Sequence, residues 1–257
     1  MNKTAFITGA SRGIGKGIAL RLAKAGYDIA FTYHTAENDA KELLKDIQSL
    51  GRTCKYYQAS LEKKNVAEAI SKDVIKDFKH IDVLICNAGK TKFTDIRTLD
   101  GDTIDFLYHL NYRSHLMMTT IFANHMIEEK IQGRIIFISS TRGIRAYDND
   151  AVYGSLKAAL NRLVQSLALE LADYEITVNS IAPGAIANRQ HDTMEDLKRG
   201  YIPTLVPLKR RGSPEDIAGL VEFLISKDGN YITGETIRVD GGLIIYGPKE
   251  KPKEDKS

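Results

Sequence analysis

Seven short apolar runs punctuate this chain of 257 residues, at 4–8 (TAFIT), 28–33 (DIAFTY), 54–59 (CKYYQA), 82–89 (DVLICNAG), 134–140 (RIIFISS), 176–184 (ITVNSIAPG) and 236–242 (TIRVDGG). Runs so short and so nearly continuous suit strands covered on both faces. Helical patterns lie between them. One runs from Gly15 to Gly26, with Ile18, Leu22 and Ala25 on one face and Gly26 as its stop. A second spans Ala36 to Leu50, where Leu43, Leu44 and Ile47 recur helically. A third begins near Tyr153 and continues through Leu160, Leu163, Leu167 and Leu171. A fourth opens with Ser213 as N-cap, Pro214 at the first helical position and Asp216 three residues after the cap. Strand and helix alternate without a linker or an internal repeat. That predicts an α/β fold: one doubly wound parallel sheet in three α/β/α layers, a single domain over 1–247. The last stretch, 248–257 (PKEKPKEDKS), is charged and broken by proline, and predicts a disordered tail.

Composition narrows the function classes. The chain is 43% hydrophobic and 27% charged, ordinary for a soluble globular protein. A net charge of +3 is too small to imply nucleic-acid binding. Cys54 and Cys86 show no metal-ligand spacing, and neither do the six histidines, so no metal is expected. Free thiols suit a reducing cytoplasm. The N-terminus is too short in apolar residues for a signal peptide, and no apolar run is long enough for a membrane span.

The first run leads into TGASRGIG (Thr8 to Gly15), and a helix follows at once. Gly9, Gly13 and Gly15 allow a tight turn and close approach of a ligand. The helix N-terminus then presents free N–H groups, an anion site suited to pyrophosphate. Further on, Tyr153 and Lys157 stand four apart in YGSLK, on one helical face. A lysine charge beside a phenol favours phenolate and lowers the tyrosine pKa, so the pair predicts a proton-transfer site.

Taken together, TGASRGIG, NAG at Asn87 to Gly89, Asn111, Ser140, the Tyr153/Lys157 pair, APG at Ala182 to Gly184 and VDGG at Val239 to Gly242 resemble the short-chain dehydrogenase/reductase family in order and interval. The resemblance covers nearly the whole chain and implies a Rossmann-type fold. It implies that Tyr153 is the general acid/base, that Lys157 lowers its pKa and holds the nicotinamide ribose, and that Ser140 hydrogen-bonds the substrate oxygen. Asn111 would anchor a water that links Lys157 to solvent. Ser139 lies beside Ser140 on the opposite strand face, as a satisfied strand-end hydroxyl. The implied dinucleotide site comprises Gly9, Ser11, Arg12, Gly13, Ile14 and Gly15 in the turn. To these it adds Tyr33, His34 and Thr35 after the second run, Ser60 and Leu61 after the third, Asn87, Ala88 and Gly89 after the fourth, and Pro183, Gly184, Ile186 and Asn188 after the sixth. Tyr33 replaces the acid that would bind a ribose 2′-hydroxyl, Glu37 lies too far along, and Arg12 offers a cation for a 2′-phosphate. NADP(H) is therefore expected over NAD(H). Ser60 departs from the family's aspartate near adenine, and Asn188 from its threonine near the nicotinamide amide.

The family resemblance leaves the substrate open between small polar metabolites, as in glucose 1-dehydrogenase-type members, and 3-oxoacyl groups on a carrier protein. Where carrier-protein reductases present basic residues, this chain has Ile131 and Tyr174, with Glu128, Glu129, Asp173 and Glu175 around them. That surface would repel an acidic carrier. Arg142, Arg145, Tyr147, Arg189 and His191 predict a polar pocket for a hydroxylated or anionic molecule. The long stretch 185–212 reads as irregular and predicts a substrate lid. The helix from Tyr153 is apolar on more than one side, at Leu156, Leu160, Leu163, Val164 and Leu167. With the family resemblance, this predicts a homotetramer.

Overall fold

The computed structural model describes residues 3–187 and 193–245. Among these, strands β1 (Thr4–Ile7), β2 (Asp28–Tyr33), β3 (Cys54–Gln58), β4 (Val83–Cys86), β5 (Arg134–Ile138), β6 (Thr177–Pro183) and β7 (Thr236–Val239) form one sheet ordered β3-β2-β1-β4-β5-β6-β7. Every pairing is parallel. The order reverses between β1 and β4. Their carboxyl ends therefore diverge into a crevice, where ligands of such sheets bind.

Strand alternation divides the core. Ala5, Ile7, Ile29, Phe31, Ile136 and Ile138 face one side, against helices α1 (Gly13–Lys24), α2 (Glu37–Ser49) and α9 (Pro214–Ile225). Phe6, Ala30, Leu84, Ile135 and Phe137 face the other, against α3 (Val66–Phe78), α5 (Ser114–Glu128) and α6 (Ala151–Leu171). Helix α4 (Gly101–Tyr108) precedes α5, and a π-helical turn at His109–Arg113 joins the two. The sequence reading had not delimited α3, α4 and α5. The mean stripe of α5 is weak because buried Ser114, His115, Thr119 and His125 interrupt its apolar face.

Two local expectations change. The fourth strand stops at Cys86, because the N–H groups of Asn87 and Ala88 turn to the Thr8 hydroxyl (2.9 and 2.8 Å) instead of the sheet. The stretch 185–212 is not simply irregular: it holds α7 (Met194–Lys198), opened by a Thr193/Asp196 capping box, and α8 (Ile202–Leu205). Its base is closed by hydrogen bonds from Ala187 N–H to the Gly212 carbonyl (2.8 Å) and from Gly212 N–H to the Ala185 carbonyl (2.9 Å). Beside it Arg210 grips Asp216 with both terminal nitrogens (2.7 and 2.9 Å). The predicted tail lies outside the described residues, as do Asn188, Arg189 and His191.

Candidate active site

The glycine turn connects β1 to α1 across the crevice. Gly9 has φ +65°, and a side chain at Gly15 would meet the Gly9 carbonyl oxygen at 2.5 Å and Asn87 Nδ2 at 2.7 Å. Both positions therefore exclude a Cβ. Asn87 donates through Nδ2 to the Thr8 and Gly9 carbonyls (2.8 and 3.0 Å), so its amide braces the turn. Thr8, whose hydroxyl ties β1 to β4, is a residue the sequence reading missed; only its position before Gly9 hinted at it. Helix α1 starts with no side-chain cap at Arg12 and no acid in its first turn. Helices α2, α7 and α9 all carry acids there. An uncapped N-terminus behind a turn with no room for side chains fits a phosphate-bearing cofactor.

Ser11 is buried at this turn, Gly13 and Ile14 open α1, and Arg12 is exposed with no side-chain partner among the described residues. Tyr33, the last residue of β2, is buried and meets Tyr56 edge-on at 5.5 Å, so no carboxylate stands at that strand end. His34 and Thr35 are exposed beyond it. Glu37 begins α2 and pairs with Lys41 at 2.9 Å. Leu61 is buried and Ser60 half-buried on the same rim. Pro183 is the last residue of β6, and Gly184 and Ile186 follow it, half-buried.

Ser140 follows β5 and accepts a hydrogen bond from the Arg142 N–H (3.2 Å). Ser139 is buried on the other side and donates to the Lys157 carbonyl at 3.1 Å. Lys157 is itself buried; Nζ donates to the Ile138 carbonyl (2.8 Å) and lies 5.6 Å from the Tyr153 ring centroid. Burial lowers Lys157 to about 8, with Cys86 acting the other way. Burial likewise pushes Tyr153 up to about 12, against the pull of the Ser140 hydroxyl; Asp150 raises it further and Arg142 lowers it. This corrects the expectation of a phenol lowered by Lys157. The ammonium is spent on a carbonyl rather than the phenol, and desolvation of the phenol wins.

Asn111 is buried within the π-helical turn. Nδ2 donates to the carbonyls of Leu107 (3.0 Å) and Lys90 (3.1 Å), and Oδ1 accepts from Lys90 N–H (3.1 Å). A side chain at Gly89 would touch Asn111 Oδ1 at 2.8 Å and approach Lys157 Nζ at 3.7 Å. Asn111 thus pins the loop after β4 beside the lysine, with its amide engaged by backbone. The 141–143 turn that carries Arg142 rests directly on α6: a Cβ at Gly143 would lie 2.6 Å from the Lys157 carbonyl carbon. Gly143 is a second residue the sequence reading missed, since its partner is fourteen positions away. His115, fully buried near Lys157 and 6.4 Å from Phe137, is pushed down to about 3 by burial and by the lysine charge. It packs in the core. Among the described residues no cluster of side chains could hold a metal, and no helix is long and apolar enough to cross a membrane.

Arg142 stands at the mouth, its guanidinium 4.5 Å from the Phe93 ring and 4.4 Å from the Tyr147 ring. Arg145 lies further out, exposed, 5.8 Å from the Tyr147 ring. Arg142, Arg145 and Tyr147 thus cluster after β5, with Arg142 bonded to Ser140 through its backbone N–H.

The chain matches a family model described as Enoyl-(Acyl carrier protein) reductase over residues 9–244. It is 35% identical over 247 residues to L-rhamnose 1-dehydrogenase (NADP(+)) of Thermoplasma acidophilum, covering 95% of this chain and 96% of that one. It is also 35% identical over 245 residues to 3-oxoacyl-[acyl-carrier-protein] reductase of Staphylococcus epidermidis, covering 95% and 100%. The crystal structure of acetoin dehydrogenase from Enterobacter cloacae superimposes with a TM-score of 0.92 at 34% identity, covering 98% of this chain and 99% of that one. The parallel sheet, the glycine turn at its switch point and these relatives lead to one conclusion: the chain belongs to the short-chain dehydrogenase/reductase family, oxidoreductases that bind a nicotinamide dinucleotide and act on CH–OH groups.

Proposed function

We propose that this chain is an NADP(H)-dependent oxidoreductase that interconverts a secondary alcohol and a ketone of a small polar metabolite. The observation that carries this reading is the convergence of Ser140, Tyr153 and Lys157 beside a glycine turn built for phosphates. The cofactor supplies or accepts the hydride. Gly9 through Gly15 would cradle its pyrophosphate, Asn87 to Gly89 and Lys157 would border its ribose, and Pro183, Gly184 and Ile186 its nicotinamide end. Asn188 belongs to the same proposed set.

Tyr153 carries the proton exchanged with the substrate oxygen, and Ser140 orients that oxygen by a hydrogen bond. Lys157 holds positive charge within reach of the phenol, where it favours proton release once a substrate oxygen shares the site. Asn111 keeps the Gly89–Lys90 backbone in place next to Lys157, the position from which a water could relay protons outward. NADP(H) is favoured by an exposed Arg12 on the turn, without a side-chain partner among the described residues, and by Tyr33 in place of a carboxylate at the end of β2. The rhamnose dehydrogenase relative is named for the same cofactor. The protein is read as cytoplasmic and homotetrameric, and residues 185–212 as the lid over the substrate, with Arg189 and His191 on it.

Reduction of a 3-oxoacyl carrier-protein thioester is the second reading, favoured by a relative of equal identity. Glu128, Glu129, Asp173 and Glu175, all exposed, oppose docking of an acidic carrier. A panel of sugars, polyols, hydroxyketones, hydroxy acids and acyl thioesters, assayed with both cofactors, separates the readings. Turnover of small hydroxylated compounds with NADP(H) is expected. Preference for the acyl thioester, or for NAD(H), would overturn the corresponding part.

A further inference from the structure

The turn after β5 is fastened to α6 by side chains at both its ends. Ser139 donates to the Lys157 carbonyl at 3.1 Å, which ties the start of the turn to the second turn of the helix. Arg142 Nη1 donates to Asp150 Oδ2 at 3.0 Å, which ties the far end to the N-cap position of the helix, one turn before Tyr153. The Asp150 side chain is 2% exposed and caps no N–H there. Its Oδ1 is buried without a hydrogen-bond partner among the described residues. The Arg142 guanidinium also lies against the Phe93 and Tyr147 rings. Gly154 leaves the space for this pair: a Cβ there would meet the Arg142 carbonyl oxygen at 3.0 Å and Asp150 Oδ2 at 3.1 Å.

A carboxylate buried for one ion pair, with an oxygen left over, adds little net stability; apolar side chains of that size would fill the space at lower cost. What the pair does supply is a fixed separation between the turn and the helix. The Arg142 backbone N–H donates to Ser140 Oγ at 3.2 Å. That bond occupies an acceptor lone pair of the Ser140 hydroxyl and leaves its O–H free to donate. The same hydroxyl reaches the Tyr153 phenol. Side chain and main chain of Arg142 therefore link Asp150 to Ser140. We propose that Asp150 is a positioning residue, whose ion pair with Arg142 clamps the 140–143 turn onto the start of α6 and holds the Ser140 hydroxyl in register with Tyr153. Without it the turn keeps its tether at Ser139 and its packing at Gly143 but loses its ionic hold on α6, and Ser140 shifts with Arg142. Asp150 touches neither substrate nor cofactor in this role. The inference rests on the reading of Ser140 and Tyr153 as the groups that handle the substrate oxygen.

Asp150→Ala, Asp150→Asn, Arg142→Ala and the Arg142→Ala/Asp150→Ala double variant test it, assayed with NADPH and the ketone of the panel above that wild type reduces fastest. NADPH titration counts folded sites, so kcat is referred to competent enzyme. Asp150→Ala and Arg142→Ala should each lower kcat about 10- to 100-fold, with KM and NADPH affinity within about threefold of wild type. The double variant strands no buried charge and should fall no further than either single one, because both side chains act through one link. Asp150→Asn keeps an acceptor for Nη1 and should restore most of kcat. Its pH profile gives a reading that mere loss of structure would not move. Tyr153 faces Asp150 and Lys157 on its own helix and Arg142 on the turn, and the Asp150 charge raises it. Reduction needs the protonated phenol, so activity is lost as pH rises through its pKa, and Asp150→Asn should move that loss to lower pH. Hydrogen exchange in cofactor-free protein needs no substrate: amides of 141–144 should exchange faster in Asp150→Ala and the double variant, while those of 160–168 keep wild-type protection. Wild-type kcat per NADPH site in Asp150→Ala, multiplied losses in the double variant, an unmoved alkaline limb in Asp150→Asn or unchanged exchange at 141–144 would overturn the clamp and leave Ser140 and Tyr153 in their roles. A Ser140→Ala enzyme with wild-type turnover would overturn the reading on which the clamp rests.

Discussion

Lys157 is an ammonium taken wholly out of water and given one carbonyl in exchange. Its pKa falls to about 8 from 10.5. Between those values the unfolded chain keeps a proton that the folded chain has released, so this group's effect on stability improves as pH rises through the window. Below about pH 8 the full cost of the buried charge is present. Lys157→Met should therefore be more stable than wild type near pH 7 by about 1–3 kcal/mol in cofactor-free protein, with the gap closing toward about pH 9.5. Urea unfolding at both pH values checks this, and a gap independent of pH would contradict it. Much at this scale was legible in sequence. Strand alternation separated Ser139 from Ser140, and the Tyr33 and Glu37 positions followed from the end of the second apolar run. The direction of the Tyr153 shift was not legible, because desolvation depends on what the fold stacks above the phenol.

Helix α6 shows how an element turns spacing into a site. Its first turn carries Asp150, Tyr153 and Gly154, its second Lys157, and the 141–143 turn lies against its backbone. Gly143→Ala would drive a Cβ into the Lys157–Ala158 peptide at 2.6–2.7 Å, where no flexible side chain can yield. The turn must then lift, carrying Ser140 and Arg142 away from Tyr153. A loss of about 1–3 kcal/mol in stability and a clear fall in kcat are expected. Gly219→Ala in α9, where a Cβ meets nothing within 4 Å, should stabilise the protein by about 0.5–1 kcal/mol and serves as the control. Thermal unfolding and steady-state rates read both; an unaltered Gly143→Ala enzyme would refute the close packing. Periodicity and caps located α1, α2, α6 and α9. The π-helical turn at Asn111 and the helices inside 185–212 lacked periodicity, because one is a register slip and the others are little more than single turns; the Thr193/Asp196 capping box is the one local signal for α7.

Across the whole molecule, the parallel sheet and its layers were implied by alternation and the Rossmann-type topology by the family resemblance, whereas the mouth of the site was not. Arg142 and Tyr147 were expected in the pocket from the polar stretch after the fifth run, but Phe93 reaches Arg142 only because β4 and β5 are neighbours, and no spacing announced the Arg142–Asp150 pair. Assembly is expected to involve the outer face of α6. Leu160 and Val164 are used in the protomer core and Leu156, Leu163 and Leu167 are half-buried, but Leu169 is 82% exposed. Sedimentation at micromolar concentration should find a tetramer, and a monomer would contradict that expectation. Fold, assembly and dinucleotide binding are properties of the whole molecule that one phenolic oxygen does not support, while turnover depends on it. Tyr153→Phe is the direct test, with NADPH affinity read by fluorescence titration and turnover on the best carbonyl substrate. Near wild-type affinity with turnover reduced at least about 10²-fold is predicted. A variant that keeps half of the wild-type rate would contradict Tyr153 as the acid/base and, with it, the proposed chemistry.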